Sequence, residues 1–355
     1  MSDYKQDFTN LNPPTIEDLD EQYRSIGVDL AARACEKALL DAGLVPGDIT
    51  HTVAVTCTNQ GSPGYNLLVH ERLGLRSDVD HALLHGVGCA GGLSIMRVAA
   101  QMALASTARG RPARVLAFAC ELCTPNVWSE LAAAEKSSAE DVCVAGALFS
   151  DGAAAFVLTN DNGKGRRKAL FQLLAFDNAV LPHTMSHMSY FVHESGEWQI
   201  PGERISMNLT MQRTGPRAVL GRAIPYCASK AVARMFTKLV PEYSVSAGVM
   251  PLQPADFDWA LHPGGIAIIE GVRSSMCLSE EHLRATHEIY RTRGNSSSPT
   301  VLSVLDMLRS MGDGREHVVA ASFGPGLSIE MAMLKRGRAR AVEIAPNHQS
   351  DYLSW

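Results

Sequence analysis

Apolar and polar positions along the chain fall into two rhythms. Over Leu30 to Ala42, Leu30, Ala31, Ala34, Cys35, Ala38 and Leu39 recur at helical spacing, and Gly43 supplies a stop. The β-branched run from His51 to Thr58 then predicts a strand. A helix over Tyr65–Leu73, a strand at Ala82–His85 and a long helix from Cys89 follow, and Arg114–Cys120 reads as the next strand. Ala147–Leu158 reads as a two-strand unit pivoting on Ser150, Asp151 and Gly152. The segment from Thr159 to Thr214 breaks the alternation. Its irregular polar pattern, with His183, His187 and His193, predicts a linker plus substrate-side elements rather than a separate fold. Beyond it come a helix at Pro225–Leu239, a strand at Trp259–Leu261, a helix after Gly265 and a helix over Pro299–Met311. A hairpin-like pair, Val318–Ser322 and Ser328–Leu334, ends the pattern.

Two stretches echo one another. ALFSDGAAAFVL in the first half and VAASFGPGLSIEMAML in the second each combine strand character with a glycine-containing turn, near the end of an alternating run. Strands alternating with helices imply an α/β fold of layered sheets, and the echo implies two similar halves in tandem. The expected divisions are an N-terminal arm over residues 1–19, a first half over 20–160 and a second half over 161–355.

Composition narrows the classes. The 355 residues are 46% hydrophobic and 19% charged with a formal net charge of -5, which is globular and offers no basic face for nucleic acid. No uninterrupted run of eighteen apolar residues occurs, so no membrane span is expected. The polar opening MSDYKQDFTNLNPP lacks the apolar core of a signal peptide, and a cytoplasmic address is expected. The eight cysteines lack framework spacing and read as reduced thiols. Cys120 and Cys123 form a CxxC, but on a strand i and i+3 face opposite sides, so no metal site is expected.

Three positions carry candidate chemistry. Cys89 lies in HGVGCAGGLSIMRVAAQMA, where an apolar strand ends in glycines, a thiol follows and a helix starts at once. Gly86, Gly88, Gly91 and Gly92 permit a sharp turn, and the first helical turn would point N–H groups and a dipole that favours thiolate at the sulfur. His262 follows the strand DWAL and precedes Pro263, Gly264 and Gly265, the carboxyl end of a strand being the usual place for site residues in α/β proteins. Asn295 stands in RGNSSSPTVLSVLDMLRSM, where Ser298 as an N-cap and Pro299 at the first helical position already explain much of the cluster. Together the three make a different case. A thiolate nucleophile needs a basic partner, and histidine and asparagine N–H groups can both donate to one thioester carbonyl or to the enolate left by decarboxylation. Such a set suits decarboxylative carbon–carbon condensation.

With these motifs in hand, the sequence resembles the type III polyketide synthases, the chalcone-synthase-like branch of the thiolase-fold superfamily, from about Thr50 to Leu334. GVGCAGG resembles the nucleophile motif, LFSDGAAA the strand–turn–strand, and WALHPGG the histidine motif. GNSSS with SVLDMLR resembles the asparagine motif, and SFGPGLSIE is similar to the C-terminal GFGPG loop. The resemblance implies a layered αβαβα fold of two pseudo-repeated halves in a homodimer, with an internal tunnel and no metal or organic cofactor. It implies Cys89 as the acyl-accepting nucleophile. It makes His262 the residue that keeps the thiolate ionised and, with Asn295, binds malonyl-CoA for loss of CO2. Phe149 matches the gatekeeper aromatic, the loop of Phe323, Gly324, Pro325 and Gly326 lines the cavity, and Ser297 matches a position that tunes cyclisation. Cys57 and Asn126 are placed facing the cavity, and a second family aromatic falls near Ala218, where there is no ring. LLHGVGCAGGL and ARGRPARVL are most similar to fungal members, which extend long-chain fatty acyl-CoA starters with malonyl-CoA to alkylpyrones, alkylresorcinols or alkylresorcylic acids.

There is one departure. Family members carry a leading strand and helix before the position of Asp20, with cationic CoA contacts in the plant branch, so one sheet is expected to be a strand short with an exposed edge. Arg24, Arg213 and Arg217 are alternative phosphate contacts. Two rival readings follow. A β-ketoacyl-carrier-protein synthase III would use the same three residue types but with a HQAN-like histidine motif where this chain has HPGG. A truncated, inactive family member would keep the fold as a binding subunit.

Overall fold

The computed structural model describes residues 16–125, 148–160, 169–185, 187–189, 219–220, 223–312 and 314–337. The first half opens with α1 (Ile16–Gln22), which runs through a wide turn at Tyr23–Gly27 into α2 (Val28–Ala42). Gly43 ends α2 at φ 67°, a left-handed conformation that glycine adopts without a Cβ clash. Then come β1 (His51–Val55), α3 (Tyr65–Leu73), β2 (Asp80–Leu84), α4 (Gly91–Ala108), β3 (Arg114–Glu121) and β4 (Gly152–Thr159). The second half holds β5 (Phe171–Val180), the short pair β6 (Met188–Ser189) and β7 (Val219–Leu220), α5 (Ile224–Ala247), β8 (Phe257–Leu261) and α6 (Ile266–Ser275). It ends with α7 (Arg284–Arg293), α8 (Thr300–Ser310), β9 (His317–Gly324) and β10 (Ser328–Arg336).

Two four-stranded sheets share one plan. In the first, with order β2-β1-β3-β4, β1 and β3 are parallel and β3 pairs antiparallel with β4. In the second, with order β5-β10-β9-β8, β8 and β9 are parallel and β9 pairs antiparallel with β10. The halves are therefore pseudo-repeats, with β1, β3 and β4 matching β8, β9 and β10. The match stops at the outer edge. In the second sheet β5 covers β10, whereas among the described residues no strand pairs with the free edge of β4, whose residues are half-buried.

Alternation along the strands builds the layers. On β3, Val115, Ala117 and Ala119 face a core shared with α4 and α8, while Leu116, Phe118 and Cys120 face α2 and α3. On β9, Val318 and Ala320 face the same shared core, and Val319, Ala321 and Phe323 face α5 and α6. The order is helices, sheet, α4 with α8, sheet, helices: the layered αβαβα fold. Both sheets present alanines to the central layer, which lets α4 sit close to each. The stretch Gly88–Ala108 is long and apolar enough to cross a membrane by length and composition alone, but 67% of it is buried inside this fold.

Several sequence expectations need correction. Of the two-strand unit expected over Ala147–Leu158, the described residues hold one strand, β4, whose partner is the distant β3, while Phe149 bridges to Asn295 instead. The segment after Thr159 contains the ten-residue strand β5, hidden from pattern reading because it forms the sheet edge and alternates weakly. Residues Arg284–Arg293 form a helix so polar that only Ala285, Thr286 and Ile289 are buried. The arm is helical from Ile16 onward.

Candidate active site

Cys89 is placed by a turn that only glycine could make easily. After β2 the chain passes Gly86 at φ 74° and Gly88 at φ 48°, then winds a short 3-10 turn, Gly88–Ala90, into α4. Gly91 and Gly92 serve differently. Both are helical, and their missing side chains admit neighbours: a Cβ at Gly91 would stand 2.8 Å from Ser298 Cβ, and one at Gly92 would overlap the Ser298 carbonyl oxygen. A Cβ at Gly88 would stand 2.7 Å from Pro325 Cδ. The nucleophile turn is thus clamped between the 295–298 segment and the Gly324–Pro325 turn.

Asn295 is held by the main chain on both sides. Its N–H donates to Leu148 O at 2.9 Å and its carbonyl accepts from Ser150 N at 3.0 Å, a bridge that sets Phe149 beside it. Its side-chain Oδ1 accepts from Ser297 N at 2.8 Å, which fixes the amide with its N–H groups left to give. That turn drives Ser297 to φ 58°, a left-handed conformation costing a non-glycine residue on the order of 1 kcal/mol. The Ser297 hydroxyl lands between two sulfurs: the Cys89 thiol donates to it at 3.4 Å, and Cys57 Sγ lies 3.5 Å away.

His262 follows β8 directly. Its N–H donates to Ala321 O at 2.8 Å, continuing the β8–β9 ladder, and β9 runs on to Gly324, packed against Val87 and Ala90 of the nucleophile turn. The ring is 1% exposed, and neither nitrogen has a hydrogen-bond partner among the described residues. Buried polar atoms are nearly always paired, so an unpaired imidazole at the end of a strand is a group left open for a ligand.

Burial acts on the ionisation of both groups. Burial pushes the Cys89 thiol up to about 11, even though hydrogen bonds with Ser297 and Asn295 pull it back. Burial likewise drives the His262 imidazole down to about 3. Desolvation thus disfavours the charged form of each group, the thiolate of Cys89 and the imidazolium of His262. A buried thiol, an unpartnered imidazole and an amide with N–H groups left to give are the kinds of group that thiol acylation and oxyanion stabilisation call for.

Of the other predicted site residues, Cys57 and Ser297 share the Cys89 neighbourhood. Gly324 and Pro325 pack on its turn, and Gly326 N donates to Met188 O at 2.8 Å. The Phe323 side chain does not line the site: the alternation of β9 sends it into the core against α5 and α6. Asn126, Arg213, Arg217, Ala218 and His193 lie outside the described residues. Arg24 is paired with Asp20 at 2.7 Å. Among the described residues no cluster of three metal-ligating side chains occurs. The sequence reading missed Glu121, which is fully buried at the end of β3 beside Cys57 and Ser298. Its one signal was an acid closing the apolar run VLAFAC.

Comparison with known proteins agrees with this picture. The family model for the N-terminal domain of chalcone and stilbene synthases matches residues 4–162, and that for the C-terminal domain matches residues 192–337. The type III polyketide synthase pspB of Penicillium soppii is 52% identical over 341 residues, covering 92% of this chain and 81% of that protein. The acylalkylpyrone synthase csyB of Aspergillus oryzae is 34% identical over 330 residues, covering 91% and 78%. A type III pentaketide synthase from Neurospora crassa superposes with a TM-score of 0.81 at 38% identity, covering 92% of this chain and 83% of that one. CsyB complexed with CoA-SH superposes with a TM-score of 0.80 at 33% identity, covering 92% and 83%.

Proposed function

This chain belongs to the chalcone and stilbene synthase family and is a type III polyketide synthase, and from that premise we propose that it loads a long-chain fatty acyl starter from CoA onto Cys89. Malonyl-CoA then extends the chain, and the product cyclises to an alkylpyrone, alkylresorcinol or alkylresorcylic acid. The observation that carries the assignment is the sulfur of Cys89 at a helix start, in contact with Ser297 and within the hydrogen-bonding reach of Asn295. The starter class draws support from the acylalkylpyrone product in the name of the Aspergillus relative, and CoA as carrier from the CoA-SH complex of CsyB.

In loading, sulfur attacks the acyl-CoA carbonyl while His262 takes the thiol proton, and the tetrahedral intermediate expels CoA thiolate, which recovers that proton. In extension, malonyl-CoA sets its thioester carbonyl against the N–H donors of His262 and Asn295. Carbon dioxide leaves, the electron pair of the broken bond becomes an enolate, and its carbon attacks the acyl carbon on Cys89. The C–S bond breaks and Cys89 leaves as thiolate. Desolvation favours this sequence because the charge developing on oxygen meets fixed donors instead of mobile water. Phe149, held beside Asn295, orients the malonyl group.

The proposal includes a homodimer, to which the exposed outer edge of β2 lends support, and a cytoplasmic location where CoA thioesters are made. The test is direct: purified protein receives malonyl-CoA and acyl-CoAs of graded chain length, and products are read by mass. Long saturated starters should give pyrone or resorcinol products most efficiently. A preference for aromatic starters would overturn the starter assignment, and neither product nor acyl-Cys89 adduct would overturn the reaction.

A further inference from the structure

Glu121 is a carboxylate with no solvent, surrounded by donors. It accepts from Ser298 Oγ at 2.5 Å, from Thr58 Oγ1 at 2.8 Å and from Thr56 Oγ1 at 3.1 Å. It also accepts from the main-chain N–H of Cys57 at 3.0 and 3.1 Å and of Thr58 at 3.1 Å. Two of these donors are amides, which cannot accept; burial pushes the carboxyl above its ordinary range, and the hydrogen bonds from Ser298, Cys57 and Thr58 pull it back toward the ionised form. Among the described residues no lysine, arginine or histidine is hydrogen-bonded to it. A buried carboxyl kept without a cation is costly, and Glu121 with its five donor groups ties together three separate segments. Those segments are the exit of β1, the end of β3 and the 295–298 turn. The first and third deliver the two groups flanking the Cys89 sulfur, Cys57 and Ser297.

We propose that Glu121 is a positioning residue for Cys89: it fixes Ser298 and the Cys57 main chain, and through them holds the strained Ser297 hydroxyl on the nucleophile's sulfur. Ser297 sits at positive φ and needs an external hold. Asn295 Oδ1 supplies one, on its N–H, and the Ser298–Glu121 bond supplies the other, on the next residue. The packing of Ser298 against Gly91 and Gly92 means that any slack at Ser298 is felt at the start of α4. The titratable groups around this core are Cys57 from the exit of β1, Cys89 before α4, Cys120 and Cys123 on and after β3, and Tyr23 and Tyr65 from the helical side. Asp151, just before β4, completes the set. The negative charge of Glu121 opposes ionisation of Cys89, and the Ser297 hydrogen bond favours it.

The test is a coupling measurement on the intact chain. Alkylation of Cys89 by iodoacetamide is followed across pH by mass spectrometry of its peptide, and the midpoint is read. Ser297→Ala should raise that midpoint in the otherwise unchanged protein by about half a unit or more, a threefold loss of thiolate at fixed pH. In a Ser298→Ala or Glu121→Gln background the hydroxyl is no longer held, and the same substitution should move the midpoint by less than half as much. A shift in those backgrounds of half the original or more, or no shift in the unchanged protein, overturns the proposal. Should Glu121→Gln fail to fold, as judged by circular dichroism, the Ser298→Ala arm decides. The readout uses no substrate, so its failure would leave the condensing reaction standing.

Discussion

At the scale of single residues, the site trades solvation for timing. Cys89 and His262 are both deeply buried, so desolvation works against the charged form of each. This separates the roles proposed for the two donors. Cys89→Ala should abolish acyl loading, read by mass of the intact protein. Asn295→Ala should slow malonyl-CoA decarboxylation, read as released CO2, by tenfold or more beyond its effect on loading, since one lost donor at an oxyanion costs on the order of a hundredfold. The buried imidazole also marks stability. Its folded value lies far below the ordinary 6.5, so between about 6.5 and 3 the unfolded chain binds the extra proton and acid favours unfolding. The urea midpoint should therefore fall with pH across that window, by as much as about 1.4 kcal/mol per unit from this group. In His262→Asn that component should vanish, while His70, also depressed by burial to about 4, continues to contribute.

At the scale of elements, the decisive contacts are made where side chains are missing. Gly92 has the Ser298 carbonyl against its Cα, so Gly92→Ala must push the 295–298 turn off the start of α4. It should lower stability by roughly 1–3 kcal/mol and cut acyl loading as well. Gly47→Ala, with open space around the site, should stay within about 0.5 kcal/mol and load normally. Elements with a clean period were legible in the sequence: Tyr65–Leu73 lies where helical spacing puts it, and Val28–Ala42 differs from expectation by two residues. Those set by tertiary contact were not. β5 is a strand because β10 offers it an edge, and α7 is helical with only three buried residues in ten. At the site, Cys89, His262 and Asn295 stood out in the sequence as candidates because glycines and strand ends flank them. Glu121 was not, because a lone acid carries no period and its meaning lies in five donors contributed by other segments.

For the whole molecule, one polar hub ties the second half together. Asp258, fully buried at the start of β8, receives Arg284 from α7 at 2.6 Å, Arg336 from β10 at 2.7 Å and Arg315 at 3.1 Å. Burial alone would raise this acid, yet the three guanidinium groups together hold it below the ordinary carboxylate range. Asp258→Asn should leave three arginines short of their counter-charge and cost roughly 3–5 kcal/mol in chemical denaturation, at a distance from the catalytic groups. The pseudo-repeat gives the rest of the plan. Strands β1 and β8 are equivalent, and just past their ends stand Cys57 and His262, one from each half. The glycine junction around Cys89 has a last consequence for anyone redesigning the product. At Gly88, Gly91, Gly92 and Gly324 the tolerance is one hydrogen atom wide, so the floor must be kept as it is. New chemistry has to be written where side chains already stand, such as Cys57 and Phe149, with Ser297 kept for its hold on the sulfur.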